Sequence, residues 1–144
     1  MANHVYPASK VLWLTTGMNV TTINIKAVLL RGYTYDAAHD NLDDIGAGLR
    51  VATSANMAGV ALTGTVTVSS GGCTVTGPGV DCNDFSWTAV AAGAACESIV
   101  WYRDSGVEGT STLICYVDTQ TGLPITPNGQ YIDYVVDVNG LFVL

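Results

Sequence analysis

Short apolar segments separated by turn residues recur along the chain, and this pattern restricts the fold more than any other feature. Residues 20–30 begin with the period-2 alternation of a half-buried strand, and residues 59–69 and 80–90 predict further strands. Residues 95–103 and 112–118 are apolar and flank a turn-rich stretch, which predicts a hairpin. About seven to nine such segments predict an all-β antiparallel domain, either a β-sandwich or a small barrel.

The remaining segments predict one or two short helices and the loops between strands. Ser9 can cap a helix over residues 8–16. Residues 33–45 are polar and acidic, which predicts a surface loop or lid, and the glycines of residues 70–79 predict a hairpin tip. Asn139-Gly140 predicts a last hairpin that ties the C-terminal strand into a sheet. No linker or repeat interrupts the pattern, so we expect one domain over residues 1–144 with an N-terminal arm.

The composition argues against several classes of partner. The chain has 12 acidic residues against 5 basic ones, and the basic residues are scattered. Nucleic acids and anionic membranes both need clustered Lys and Arg, so neither partner is expected. Only 12% of residues are charged, which is typical either of a domain that buries surface against partners or of a neutral surface rich in Ser and Thr. No apolar run approaches the roughly 20 residues of a membrane span, and no signal peptide is expected, so we expect synthesis in a cytoplasm.

Side chains with catalytic or metal-binding chemistry do not form a known pattern. His39 beside Asp40 could be a general base and its orienting partner, but no nucleophile elbow of the GxSxG type accompanies them. The acidic residues around Asp43 and Asp44 lack the DxDxDG spacing of a calcium loop, and a helix cap with a solvated surface explains them better. We therefore expect no enzyme, no catalytic residue, no metal site and no cofactor.

The four cysteines fall into two kinds. Cys96 and Cys115 lie in apolar strand-like runs and are expected to be small buried hydrophobic residues. Cys73 and Cys82 bracket a turn-rich stretch and could close a small disulfide loop in an oxidising environment, although free thiols are the usual state in a cytoplasm. No CxxC pair is present, which argues against a zinc site.

Aromatic residues are the main candidates for binding. Adjacent strand residues point to opposite faces, so either a second packing layer or a partner surface must cover one of Trp101 and Tyr102. The strand aromatics could also stack sugar rings or fill the core; this set is Trp87, Trp101, Tyr102, Tyr116, Tyr131 and Tyr134. The apolar arm over residues 2–7 and the tyrosines of the polar loop add exposed candidates. The predicted interface residues are Val5, Tyr6, Tyr33, Tyr35, Trp101 and Tyr102.

Several segments form an ordered set of motifs along the chain. They are the opening MANHVYPASKVLWLTTG, TTINIKAVLL (residues 21–30), YTYDAAHDNLDDI (33–45), GLRVATSA (48–55), IVWYRDSGVEGTSTLICYVD (99–118), GLPITPNGQ (122–130) and VDVNGLFVL (136–144). Together they resemble a family of small virion proteins of tailed bacteriophages over nearly the whole chain. Residues 65–82 depart from that pattern, because they are longer and richer in Cys and Gly, which puts the role of this stretch in doubt.

The resemblance implies a capsid decoration, or cement, protein. Such a protein is a β-sandwich of jelly-roll type that binds the outer surface of the phage head and stabilises contacts between capsomers. Its expected partners are the major capsid protein and further copies of itself, as a dimer or trimer, and its expected location is the virion. The alternative is a tail or head-fibre module that binds glycans of the host surface through the strand aromatics.

Overall fold

Strands are the commonest regular structure in the part of the chain that the computed structural model describes, which is residues 3–16, 23–54, 73–76, 79–82, 84–136 and 142–143. The predicted all-β class with few helices is confirmed. The described elements are β1 (His4–Val5), α1 (Pro7–Thr16), β2 (Asn24–Leu30), β3 (Arg50–Thr53), β4 (Cys73–Thr76), β5 (Gly79–Cys82), β6 (Phe85–Trp87), β7 (Ser98–Asp104), β8 (Leu113–Val117), β9 (Ile132–Tyr134) and β10 (Phe142–Val143).

An antiparallel sheet of five strands, in the order β1-β8-β7-β2-β3, organises the structure. The predicted hairpin of β7 and β8 is confirmed, and Gly106 in its turn has a φ of 85°, which favours glycine. Trp101 pairs with Cys115 and Tyr102 pairs with Leu113, so Ile114 lies in a bulge between them. On the other edge of β8, the carbonyl of Ile114 accepts a hydrogen bond from the amide of Tyr6 at 2.9 Å, which continues the register of β1 with β8.

The described N-terminal residues belong to this sheet, so the part of the predicted arm that the structure describes lies along a sheet edge. β1 pairs antiparallel with β8, and His4 lies opposite Tyr116. The side-chain oxygen of Asn3 accepts hydrogen bonds from the amides of Asp118 and Thr119, both at 3.2 Å. A short strand needs few residues to pair along an edge, and the apolar character that indicated an arm comes from burial of Tyr6.

The predicted first helix is confirmed as α1, but its start differs from the prediction. Pro7 occupies the first helical position. Its fixed φ suits a helix there, and no helical hydrogen bond is lost because the N–H of this position has no partner within a helix. Ser9 lies inside the first turn and is buried. Its hydroxyl donates to the carbonyl of Tyr6 at 2.8 Å and lies 3.2 Å from the carbonyl of Ile114, so Ser9 joins the helix to the sheet and does not cap it.

Both faces of the five-stranded sheet are buried. On β2, Ala27 and Leu29 face one core cluster, and Val28 and Leu30 face another. The first cluster is covered by α1 and by a two-stranded sheet of β6 and β9. The second is covered by the polar segment 33–49, which contributes buried side chains, among them Leu42 and Ile45. Residues 33–45 of this segment were predicted to be a surface loop or lid, and they form a packing layer as well.

The two-stranded sheet is fixed above the first cluster by an indole hydrogen bond. Nε1 of Trp87 donates to the carbonyl of Ala27 in β2, at 3.3 Å. Phe85 packs edge-on against both Trp87 and Trp101, with ring centroids 4.7 and 5.3 Å apart. Residues 80–90 were predicted to be one strand, but β5 and β6 belong to different sheets.

The C-terminal strand pairs with a different partner from the predicted one. β10 pairs with β5 and β9 pairs with β6, so β9 and β10 are not partners in the described ladders. The C-terminal strand is nevertheless tied into a sheet, as predicted. β4 pairs with β5, so residues 73–76 form a strand where a hairpin tip was predicted. The predicted strand over 59–69 and the Asn139-Gly140 turn lie outside the described residues, and the jelly-roll order stays a prediction.

Two matched substitutions test the burial of the second sheet face. Val100→Ala should lower the free energy of unfolding by about 2 kcal/mol, because Val100 is fully buried and its loss leaves a cavity. Val107→Ala makes the same change at a side chain that is 63% exposed, and should change the unfolding free energy by less than about 0.5 kcal/mol. Chemical denaturation of both variants measures the difference, and equal values would contradict the covering role of segment 33–49.

Candidate interaction surfaces

Most of the predicted interface residues belong to the core of the folded chain. Tyr6 and Trp101 have no exposed surface, and Tyr102 is 3% exposed. Tyr33 is also buried, whereas Val5 and Tyr35 are half-buried. The prediction that these six side chains form an exposed interface is therefore wrong for the four buried ones. The chain supplies the second packing layer that the adjacent Trp101 and Tyr102 require.

The strand aromatics do not form a platform for sugar rings. Trp87, Trp101 and Tyr134 are buried in the first core cluster. Tyr102 and Tyr116 are buried in the second cluster. Tyr131 alone of the predicted set is exposed, at 68%. An exposed aromatic face is what a glycan platform requires, and this set does not provide one.

Histidine and tyrosine rings fill the space between the sheet and the polar segment. We call the group His4, Tyr6, Tyr33, Tyr35 and Tyr116 the aromatic cluster. His4 stacks on Tyr35 with ring centroids 4.3 Å apart, and Tyr35 also contacts Tyr6 and Tyr116 at 5.1 and 5.8 Å. The cluster joins β1, β8 and the polar segment, which explains why the two tyrosines predicted to project from a loop pack inward.

A chain of hydrogen bonds satisfies the buried hydroxyls of the aromatic cluster. The Tyr6 and Tyr33 hydroxyls are 2.9 Å apart, and the Tyr33 hydroxyl is 2.9 Å from Nδ1 of His39. Nε2 of His39 lies 3.8 Å from the carboxylate of Asp36. Burial raises the pKa of both Tyr6 and Tyr33, which keeps the two phenols protonated. The arrangement fixes the polar segment on the sheet, and His39 contacts Tyr33 and Asp36 rather than a nucleophile.

The carboxylate of Asp44 organises the acidic part of the polar segment. Its Oδ2 accepts hydrogen bonds from the amides of Asp40 and Asn41, at 2.8 and 2.9 Å. These two hydrogen bonds hold the pKa of Asp44 below its usual value, and the bond from Asn41 has the larger effect. At the other end of the segment, Arg50 makes a bidentate ion pair with Glu108, at 2.7 and 3.1 Å. The acidic residues thus serve as turn and cap groups, as the sequence predicted.

The described cysteines include both a disulfide and free thiols. Cys96 and Cys115 are free and buried, as predicted. Burial raises the pKa of the Cys115 thiol, so this group is an unreactive core residue. Cys82 is disulfide-bonded, and its backbone lies directly opposite Cys73 in the ladder of β4 and β5. Because the side chain of Cys73 lies outside the described part of the chain, its place in the disulfide stays a prediction.

Large exposed apolar side chains lie in three parts of the described structure, one of which is Val107 in the turn of the β7–β8 hairpin. On α1, Leu14 is 87% exposed and Val11 is 58% exposed, beside an open groove of about 420 Å³. Around β9, Tyr131 and Val135 are both 68% exposed, and Val135 lines a larger open groove of about 880 Å³. The sequence analysis did not identify Leu14 as exposed, because helical spacing alone does not show where the buried side of α1 ends.

Neither the ionisable side chains nor known sequences assign the protein to a class. Within the described ranges, no group of three or more His, Cys, Asp and Glu side chains is placed to hold a metal ion. None of the described helical residues forms an apolar helix long enough to cross a membrane. The chain matches no protein-family model and no curated protein sequence. The resemblance to phage virion proteins therefore depends on the quoted motifs.

Two neighbouring carboxylates provide a test of the capping role of Asp44. Asp44→Ala should speed hydrogen exchange at the amides of Asp40 and Asn41 about fivefold, the equivalent of about 1 kcal/mol for a lost cap. Asp43→Ala removes the same charge from the preceding residue and should leave the exchange rates of these two amides unchanged. Exchange measured by NMR at neutral pH compares the variants.

Acid should weaken the hydrogen bonds from the amides of Asp40 and Asn41 to the Asp44 carboxylate in the unaltered protein. Since the pKa of Asp44 is lower in the folded chain than its usual value of 3.8, its stabilising effect is present above pH 3.8. It is lost as the pH falls through the folded-state pKa. The capping role of Asp44 would be contradicted if the amides of Asp40 and Asn41 stayed protected from exchange in Asp44→Ala. It would also be contradicted if their protection did not fall at acidic pH in the unaltered protein.

Proposed function

We propose that this protein is a structural virion protein of a tailed bacteriophage, and that it serves as a capsid decoration, or cement, protein. It binds the outer surface of the phage head and stabilises contacts between capsomers. The observation that carries the proposal is the position in the fold of the motifs that resemble those of the phage virion proteins. TTINIKAVLL contains β2, GLRVATSA contains β3, and the motif over residues 99–118 contains the hairpin of β7 and β8. The motif over residues 33–45 packs on the sheet that they form.

The resembling motifs therefore specify the central sheet and the segment that covers it. A resemblance confined to loops could arise from shared turn residues. A resemblance in contacting strands and in their covering segment is more specific, because it involves residues that are far apart in sequence and pack together. This distribution favours a shared fold with the phage virion proteins, and their decoration role is the function that we propose for this chain.

A purely structural role agrees with the chemistry of the described side chains. The buried tyrosines and His39 hydrogen-bond to one another, and Cys96 and Cys115 are enclosed in the core. The exposed side chains of α1 and β9 supply apolar area for protein contacts. The alternative of a glycan-binding fibre module has no comparable support, because its predicted aromatic platform is mostly buried.

Mass action accounts for the stabilisation that such a protein gives to a head. A protein that binds only the assembled shell stabilises each site by about 2.7 kcal/mol when its free concentration is about 100 times the dissociation constant. Dimers or trimers of this chain, each contacting more than one capsid subunit, add avidity without a new type of contact. The proposed partners are therefore the major capsid protein and further copies of this chain.

The copy number in purified particles tests the proposal directly. We expect mass-spectrometric quantification of virions of the encoding phage to give this chain and the major capsid protein in comparable molar amounts. Heads assembled without the chain should unfold at a lower temperature, and added purified protein should restore the unfolding temperature in a saturable manner. A handful of copies per particle would overturn the decoration role and favour the fibre alternative.

Helix α1 offers a matched pair of variants that locate the contact with the head. We expect Leu14→Glu to weaken binding to heads that lack the protein by at least about tenfold, because a carboxylate replaces an exposed apolar side chain. Val107→Glu places the same group at another exposed position and should bind as the unaltered protein does. Co-sedimentation measures binding, and thermal unfolding checks that both variants fold. Unchanged binding of Leu14→Glu would exclude α1 as the contact without affecting the copy-number test.

A further inference from the structure

One edge of β9 carries no paired strand in the described part of the chain. β9 pairs antiparallel with β6, and these two strands form a sheet of their own. A strand at the edge of a sheet presents unpaired N–H and C=O groups, which another extended chain can bind. The residues that follow β9 show which of its backbone groups face β6 and which face this free edge.

The peptide group that joins Val135 and Val136 has its two polar atoms on opposite sides of β9. Its N–H, which belongs to Val136, donates to the carboxylate of Asp84 at 2.8 Å, and Asp84 directly precedes β6. Its C=O, which belongs to Val135, accepts a hydrogen bond from Nε2 of Gln120 at 3.1 Å. The carbonyl of Val135 therefore marks the free edge of β9.

The amide and the carbonyl of Asp133 face the free edge as well. The N–H and C=O of one strand residue lie at the same edge, and the edge alternates from one residue to the next. Those of Ile132 and Tyr134 consequently point to β6, and those of Asp133 and Val135 point away from it. Apart from the bond between Val135 and Gln120, the described hydrogen bonds supply no partner for these outward groups. The free edge thus offers the N–H and C=O of Asp133 and the N–H of Val135.

The open groove of about 880 Å³ lies beside this edge. Residues 132–136 form one of its walls, and residues 124–126 form part of another. Gln120, which binds the free edge, lines the groove too, so the groove is on the side of β9 that is remote from β6. A strand added to this edge would lie about 4.8 Å from β9, which is where the groove provides space.

The exposed side chains of this region define the chemistry of a strand that would fit the edge. Tyr131 and Val135 are each 68% exposed, and Asp133 is exposed between them on the same face. The carboxylate of Asp133 accepts a hydrogen bond from the hydroxyl of Ser86 at 2.6 Å, and none of the described ion pairs includes it. Opposite charges and apolar pairs stabilise neighbouring strands when they lie directly across from one another. The matching strand therefore carries a basic residue opposite Asp133 and an apolar residue two positions away on either side.

A second copy of this chain fits the edge less well. Two β9 edges that pair antiparallel and engage all three exposed residues place Asp133 of one copy opposite Asp133 of the other. Like charges that lie directly opposite one another destabilise a strand pair. Charge complementarity thus favours a different protein over a second copy.

We propose that the free edge of β9 binds an extended segment of a partner protein, which adds to the sheet as an antiparallel strand with a Lys or Arg opposite Asp133. The main chain of the segment pairs with the outward N–H and C=O of Asp133, and its apolar side chains pack on Tyr131 and Val135. Main-chain bonds give affinity in such a complex, and the alternate side chains give specificity. The inference does not depend on the decoration role, because it concerns an edge of the isolated chain.

The test uses the full chain and a heptapeptide, TVTKTVT with both ends capped, as the probe. We expect saturating peptide to slow hydrogen exchange at the amides of Asp133 and Val135 at least about fivefold, because each N–H gains a carbonyl partner. The amides of Ile132 and Tyr134 face β6 already and should change less than about twofold. NMR compares the four amides in one sample. Equal slowing at all four amides, or no slowing at any of them, would overturn the proposal.

Two altered peptides separate main-chain pairing from charge attraction. A peptide that is N-methylated at the lysine keeps the charge but cannot donate to the carbonyl of Asp133, and should bind at least about tenfold more weakly. TVTETVT keeps the main chain and reverses the charge, and should bind about threefold more weakly or worse. Equal affinity of the N-methylated peptide would refute strand addition, and equal affinity of TVTETVT would refute the basic residue opposite Asp133.

Matched variants of the protein assign the charge effect to Asp133. We expect Asp133→Asn to abolish the preference for TVTKTVT over TVTETVT, and Asp40→Asn, which removes the same charge from another exposed residue, to retain it. A preference that survived in Asp133→Asn would contradict the placement of the basic residue. Sedimentation equilibrium with and without TVTKTVT checks the other occupant of the edge. We expect the same oligomeric state in both samples, and a dimer that the peptide dissociates would overturn the proposal and assign the edge to a second copy.

Discussion

Burial of both faces of the β7–β8 hairpin is the constraint on which the rest of the structure depends. Trp101 and Tyr102 are adjacent and point to opposite faces, and both are almost completely enclosed. Neither face can then remain in water, so the chain must provide two covering layers. α1 and the sheet of β6 and β9 form one of them, and the polar segment 33–49 forms the other.

The covering of the second face combines apolar packing with paired polar groups. A polar, acidic segment can lie on a sheet only if the groups it buries find partners. Leu42 and Ile45 provide the apolar contacts. The hydroxyls of Tyr6 and Tyr33 are satisfied by one another and by His39, while Asp44 binds the segment's own amides. The acidic residues remain at the surface, which explains how one segment is both a charged loop and a core layer.

The sequence predicted those features that depend on neighbouring residues. The hairpin of β7 and β8, the helix after Pro7 and the burial of Cys96 and Cys115 all follow from local patterns, and the structure agrees with them. The sequence could not show whether a second layer of this chain or a partner protein covers Tyr102. The residues that cover it, Leu42 and Ile45, are about 60 positions away. For the same reason the pairing of β10 with β5 was missed, since a turn signal favours the nearest strand.

Coverage of both sheet faces also decides which groups remain for partners. Once segment 33–49 has enclosed the tyrosines and α1 has covered the opposite face, the large apolar side chains still exposed among the described residues lie on α1, in the β7–β8 turn and near β9, as at Leu14, Val107 and Val135. Apolar contacts give area without direction, so these exposed side chains can contribute binding area to the proposed contact with a head but do not by themselves fix its orientation.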